Sequence, residues 1–251
     1  TEEHYASGQL MSRIDRQDGL PHGKAIYFHD SGAKQMEGTF QNGKEHGVWT
    51  IYDESGEPES RYEYLEGLED GKGVVWHRNG QRKLEGAYGG GELNGKLTVW
   101  YENGQEKLVG WYKQGVEDGK VMEWSEDGEV TREASYLSGE KHGTERVWHA
   151  DESKQRETMY RGGLRHGTET VWYADGSKQR STMYRAGLRH GTETVWFPNG
   201  QIETAAEYRD DLRHGSVVAF APDGQQGADL YFEADVELRS QDKGATLASL
   251  G

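Results

Sequence analysis

Gly167-Thr168-Glu169-Thr170-Val171-Trp172 returns unchanged as Gly191-Thr192-Glu193-Thr194-Val195-Trp196, and the interval between the two copies is 24 residues. That interval governs most of the chain. Glycine recurs at Gly23, Gly47, Gly71, Gly95, Gly119, Gly143, Gly167, Gly191 and Gly215, with no insertion or deletion between copies. Five residues after each stands a large aromatic: Phe28, Tyr52, Trp76, Trp100, Trp124, Trp148, Trp172, Trp196 and Phe220. Seventeen residues after each stands another: Phe40, Tyr64, Tyr88, Tyr112, Tyr136, Tyr160, Tyr184, Tyr208 and Phe232. Segments 144–167 and 168–191 differ at only five of their 24 positions, which points to duplication. A fixed period of this length marks a repeat architecture, in which a unit buries its apolar face only by stacking on its neighbours.

Each unit reads as a β-hairpin. Lys96-Leu97-Thr98-Val99-Trp100-Tyr101 is rich in β-branched and aromatic residues and runs into Asn103-Gly104, a strong hairpin-turn signal. The same place holds Asn79-Gly80, Asp127-Gly128, Asp175-Gly176, Asn199-Gly200 and Asp223-Gly224, with Ser31-Gly32 and Ser55-Gly56 as weaker versions. Asp151-Glu152 departs from the pattern, so a distorted turn is expected there. A second strand then ends at the second aromatic column, followed by a glycine such as Gly163 or Gly187 and a short connection. Two residues before the second aromatic the side chain is mostly small: Gly38, Gly86, Gly110, Ala134, Thr158, Thr182 and Ala206. Strand alternation puts this small residue on the face of the tyrosine, leaving room for an indole from a neighbouring strand. No window carries a helical stripe.

The fold expected is therefore all-β: a single repeat domain built as an elongated, open meander of tandem hairpins. At two strands per unit and ~4.8 Å per strand, nine units extend roughly 85 Å. Residues 1–22 read as a degenerate half-repeat acting as a cap, with His4-Tyr5 on a strand and Arg16 where an aromatic belongs. Residues 23–232 hold the nine repeats, and 233–251 read as a mobile C-terminal tail.

Composition bounds the function. The 251 residues carry 44 acidic and 29 basic side chains, for a net charge of -15, and no cysteine. That charge argues against sequence-independent binding to nucleic acid or to an anionic membrane. No apolar run is long enough for a membrane-inserting helix. Without cysteine there is no thiolate site or disulfide, and the compartment stays open between cytoplasmic and exported.

The string Tyr-x-x-Gly-x-x-His-Gly, then Trp and Asn-Gly, is carried in one stretch by Tyr184, Gly187, His190, Gly191, Trp196, Asn199 and Gly200. It resembles the MORN-type repeat, and specifically the bacterial MORN-variant repeat of YwqK-like proteins. The resemblance spans residues 5–232 and implies an elongated hairpin array with a scaffolding or partner-binding role. Many YwqK-like proteins are described as antitoxin components. The period of 24 is slightly longer than the usual family unit, and the link of eukaryotic MORN proteins to acidic lipids does not suit so acidic a chain.

Several columns invite a chemical reading. Histidine precedes the repeat glycine at His22, His46, His142, His166, His190 and His214, with Asp70, Asn94 and Asp118 in the same column. Equivalent histidines in successive units lie roughly 10 Å apart, too far to share one ion, so the column reads as a turn residue that tolerates left-handed backbone. No metal ligand set and no cofactor site is assigned. The rings at Trp76, Trp100, Trp124, Trp148, Trp172 and Trp196, with Tyr88, Tyr112, Tyr136, Tyr160, Tyr184 and Tyr208, are the material for a core.

Charge is uneven. Residues 1–143 have a net charge of -11, residues 144–215 of 0 and residues 216–251 of -4. In the neutral block Arg161, Arg185 and Arg209 follow the second aromatic, and Arg165, Arg189 and Arg213 precede the histidine. These six form the candidate partner-binding edge. Translated copies of one group do not make the asymmetric cluster of unlike groups that catalysis needs, so no catalytic residue is assigned. The reading is a non-enzymatic scaffold for another protein, with end-to-end self-association open to its terminal strands. The alternatives are an antitoxin-like or immunity-like partner masking an effector, and a cell-envelope carbohydrate binder using aromatic rows.

Overall fold

The structure, a computed structural model, describes residues 1–242, and every regular element in them is a β-strand. The chain divides into two compact units, Thr1–Gly128 and the part from Glu129 onward, with the boundary at the end of the Asp127-Gly128 turn. A repeat array has no central core, so such a division needs no linker.

The first unit contains β1 (Glu2–His4), β2 (Leu10–Gln17), β3 (Leu20–Phe28), β4 (Lys34–Gln41), β5 (Lys44–Tyr52) and β6 (Pro58–Leu65). It continues with β7 (Leu68–Trp76), β8 (Arg82–Gly89), β9 (Glu92–Trp100), β10 (Glu106–Lys113) and β11 (Val116–Trp124). Each strand pairs antiparallel with the next. The second unit contains β12 (Val130–Leu137), β13 (Glu140–Lys141), β14 (Gly143–Trp148), β15 (Lys154–Arg161), β16 (Leu164–Trp172) and β17 (Lys178–Arg185). There follow β18 (Leu188–Trp196), β19 (Ile202–Arg209), β20 (Leu212–Phe220), β21 (Gln226–Glu233) and β22 (Val236–Asp242), again an antiparallel meander.

Two kinds of turn alternate. At the Asn/Asp-Gly signal the loop is wide: Gly104 N–H donates to Tyr101 O at 3.0 Å, and Tyr101 N–H to Gln105 O at 2.9 Å. Gly104 is left-handed, with φ +86°, whereas Asn103 is not, so this is not the primed two-residue turn. Asn103 serves the turn with its side chain instead. Its Oδ1 accepts from Gln105 N–H at 2.9 Å, and its Nδ2 donates to Glu126 O, one period on, at 2.8 Å. The primed turn occurs at the other connection, where Gln114 and Gly115 (φ +49° and +77°) or Ala186 and Gly187 (+51° and +88°) are both left-handed. At Asp151-Glu152 the turn keeps its two hydrogen bonds, and Glu152 itself takes the left-handed seat at φ +63°.

The repeat glycine has its own reason. Gly95 lies inside β9 at φ +134°, and a Cβ there would sit 2.9 Å from that of Ala87. Across the ladder repeat glycines face aromatics of the second column, as in Gly71 opposite Tyr88, Gly167 opposite Tyr184 and Gly191 opposite Tyr208. A ring opposite a glycine covers the bare backbone, so the glycine and aromatic columns are one device. The histidine column does not use left-handed backbone; the following glycine does. It does serve turns: His22 Nδ1 accepts from Asn42 N–H at 3.4 Å, and Asp70 from Gly90 N–H at 3.3 Å.

The N-terminal segment is a paired hairpin with turns at Ser7-Gly8 and Asp18-Gly19. Within the stretch expected as a tail, Val236–Asp242 forms β22 on β21 after a left-handed turn at Ala234-Asp235. The rest of that expectation, residues 243–251, lies outside the described residues.

Candidate functional site

One face of the meander carries three rows of side chains that run across the strands; the first pairs Val75 with Leu84, Leu84 with Val99 and Val99 with Leu108. The middle row is the deepest. In the first unit it comprises Ile14, Ala25, Gly38, Trp49, Tyr62, Gly73, Gly86, Leu97, Gly110 and Val121. Ala25, Trp49, Leu97 and Val121 are buried. The small column makes the room expected of it: a Cβ on Gly38 would lie inside the indole of Trp49. At Gly86 and Gly110 the space is taken by Leu97 and Val121 and by a tyrosine ring instead. The six tryptophans of the first aromatic column are half-buried, and so are Tyr88, Tyr112, Tyr136, Tyr160 and Tyr208, whereas Tyr184 is buried. The deepest side chains thus stand two residues after the repeat glycine, not in the first aromatic column.

In the second unit the same middle row becomes ionic. Its members run Glu145, Thr158, Glu169, Thr182, Glu193 and Ala206. Glu145 is only 3% exposed. Its Oε1 accepts from Arg132 Nε at 2.9 Å and Lys141 Nζ at 2.6 Å, and its Oε2 from Arg156 Nη2 and Tyr160 Oη at 3.3 Å each. Glu169 accepts from Thr158 Oγ1 at 3.0 Å and Arg180 Nη2 at 3.4 Å, with Arg165 3.8 Å away. Glu193 accepts from Thr182 Oγ1 at 2.8 Å and has Arg189 at 3.8 Å. Burial pushes the Glu145 carboxyl up, but the hydrogen bonds from Lys141 and Arg132 outweigh it, and the net direction is below the usual carboxylate range.

The third row alternates aromatics with charge, and the sign of that charge differs between the units. In the second unit the guanidinium of Arg165 lies over Tyr184 at 4.0 Å, that of Arg189 over Tyr208 at 4.0 Å and that of Arg213 over Phe232 at 4.3 Å. Arg189 also pairs with Asp211 at 3.2 Å, and Arg213 with Asp235 at 3.0 Å. In the first unit the same register holds Glu45 between Phe40 and Tyr64, and Glu69 between Tyr64 and Tyr88. Burial raises the Glu69 carboxyl above its ordinary range, and burial with neighbouring Tyr62 and Glu69 pushes the Tyr88 phenol up to about 12.

The two arginine columns meet at the same turns but face opposite ways. Tyr160 stands across from Arg165, and Arg161 from Leu164, so alternation sends Arg165 to the row-bearing face and Arg161 to the other. Arg161, Arg185 and Arg209 are exposed; Arg185 pairs with Asp210 at 3.4 Å. Among the described residues no cluster of three potential metal-binding side chains occurs. The buried glutamates could not be told from exposed ones in the sequence, because Glu169 stands between two threonines on a strand with no apolar partner to mark the inward side. The signal available was their register, two residues after the glycine, where Trp49, Leu97 and Val121 stand in other units.

No curated protein matches the chain. Among solved structures it is similar to a chain of the TcdB2-TccC3 crystal structure, at 9% identity over 96% of this chain and 16% of that one, with a TM-score of 0.21. It is also similar to a chain of the TcdB2-TccC3-Cdc42 structure, at 11% identity over 98% and 14%, with a TM-score of 0.22. The chain spans about one-sixth of the length of these chains. Three of its periods, residues 21–42, 45–66 and 189–210, match the MORN repeat variant.

Proposed function

We propose that the chain is a non-enzymatic repeat scaffold that holds another protein. The observation that carries this reading is an amphipathic stripe on the outward face of the second unit. Arg161 stands directly across from Leu164, Arg185 from Leu188 and Arg209 from Leu212. The three leucines are 51%, 42% and 45% exposed, and Met159 and Met183 add further exposed apolar surface to this unit. Exposed aliphatics repeated beside arginines are the composition of a protein-binding surface rather than of a solvated edge. Repetition at the period of the chain lets many modest contacts add along one partner. Arg165, Arg189 and Arg213, by contrast, hold the inward rows from within.

The test is capture of a partner from the native cell, followed by binding to purified chain at rising salt. Arg161→Glu combined with Arg209→Glu is expected to weaken binding at least tenfold and flatten its salt dependence, and Leu188→Asp to weaken it through lost apolar contact. Neither arginine has an ion pair among the described residues, so reversal leaves the fold intact. Undiminished binding by both variants would refute this surface.

A further inference from the structure

The first unit contains a pocket on its row-bearing face that nothing in the chain fills. Its walls are Tyr27, Phe40, Tyr62 and Tyr64, its floor is the buried Trp49, and the Glu45 carboxylate lies at its edge. Phe40 meets the Trp49 indole edge-on, with ring centroids 4.9 Å apart, which fixes the floor. Glu45 and, one period on, Glu69 are half-buried among these rings, and neither has an ion pair among the described residues. A carboxylate held against aromatic faces without a cation is an incomplete arrangement, because both the charge and the ring quadrupoles favour positive charge at that place.

The second unit shows how the arrangement is completed. In the same register a guanidinium, from Arg165 or Arg189, lies 4.0 Å over the tyrosine ring and within ion-pair distance of a glutamate. The first unit has the rings and the carboxylates, but the position that supplies the cation in the second unit is itself a glutamate. We infer that the aromatic pocket of the first unit binds arginine side chains of a partner protein's basic segment, with Glu45 and Glu69 as the counter-charges. Successive carboxylates lie two strands apart, roughly 10 Å, a spacing that residues three apart match in a peptide of polyproline-II conformation, where they share one face at ~9.3 Å. A planar guanidinium both stacks on a ring and donates two parallel hydrogen bonds to a carboxylate, which an ammonium cannot do. This inference rests on the reading of the chain as a protein-binding scaffold but concerns a different surface.

The experiment titrates the full chain with the blocked peptide Gly-Arg-Gly-Gly-Arg-Gly, following the Trp49 indole N–H by NMR and the heat of binding. Saturable binding that shifts the Trp49 signal is expected, with affinity falling at least tenfold for Glu45→Gln plus Glu69→Gln, which preserve side-chain shape. A citrulline-substituted peptide, uncharged but of the same shape, should bind at least tenfold more weakly. Equal binding of the citrulline peptide, or unchanged affinity in the double variant, would overturn the proposal, as would binding of choline chloride with no binding of the arginine peptide. Unchanged melting of the double variant excludes misfolding as the cause of its loss. A captured partner that still binds while the peptide does not would sink this pocket and leave the scaffold reading standing; the reverse would sink the scaffold surface alone.

Discussion

Glu145→Ala is expected to destabilise the second unit by about 3 kcal/mol, enough to separate its unfolding from that of the wild-type chain in a denaturant titration. The carboxylate is buried and receives four hydrogen bonds, three of them from Arg132, Lys141 and Arg156. Its removal takes from Arg132, Lys141 and Arg156 the carboxylate that they share. They are partly exposed, so water recovers some of the loss, and this holds the expected cost at the lower end for a broken buried pair. Glu145→Gln separates charge from shape. It keeps an acceptor but not the ionic attraction, and should fall between alanine and wild type. A loss below about 1 kcal/mol for Glu145→Ala would mean that the ionic row contributes no more than a surface ion pair.

The second large effect concerns Gly38 and Trp49. Trp49→Ala should cost about 3–5 kcal/mol, because the buried indole is the floor against which Tyr27 and Phe40 pack, and its removal leaves a cavity. Gly38→Ala should cost about 2–3 kcal/mol by the opposite route, since its Cβ would overlap the indole and force the strand pair apart. The two are not independent. With the indole gone, the alanine has room, so the double variant should be less destabilised than the sum of the singles by about 1 kcal/mol or more. Strict additivity, measured by thermal or denaturant unfolding, would show that the small column does not exist to admit the neighbouring side chain.

Periodicity made the strands and hairpins legible because it reports backbone geometry directly. Gly95 and its equivalents carry φ values no other residue adopts comfortably, and the ring opposite each glycine is required by the same local geometry. Turn type was less legible. Asn103-Gly104 has the composition of a primed turn, yet only Gly104 is left-handed and the turn is wider, with the asparagine side chain bridging to Glu126 of the next repeat. The primed turns are built at pairs such as Gln114-Gly115, which announce only the glycine.

Depth was least legible of all. The conspicuous rings at Trp100 and Trp172 are half-buried, while Glu145 and Glu169 lie deeper than either. A carboxylate enters such a row only when cations from adjacent strands meet it, and those partners, Arg132, Arg156 and Arg180, lie 11 to 13 residues away in sequence. Within one strand only the longer contacts of Arg165 with Glu169 and Arg189 with Glu193, at 3.8 Å, announce the pairing. The arginine columns diverge for a similar reason: Arg161 and Arg165 are separated by a two-residue turn and an even count, yet their registers assign them to opposite faces.

One repeated lattice is used with opposite polarity in the two units: Glu45 and Glu69 have no ion pair among the described residues of the first, and Glu145 and Glu169 are met by cations in the second. Carbon-13 titration of the glutamate side-chain carboxyls measures this most directly. Glu69 should titrate above the usual ~4.3 of an unperturbed glutamate and Glu145 below it. By linkage, Glu69 then contributes stability as pH falls through its raised folded pKa. Glu145 contributes stability that is present above the unfolded value and lost as pH falls through its lowered one. Displacement of both residues in the same direction, or of neither, would contradict the claim.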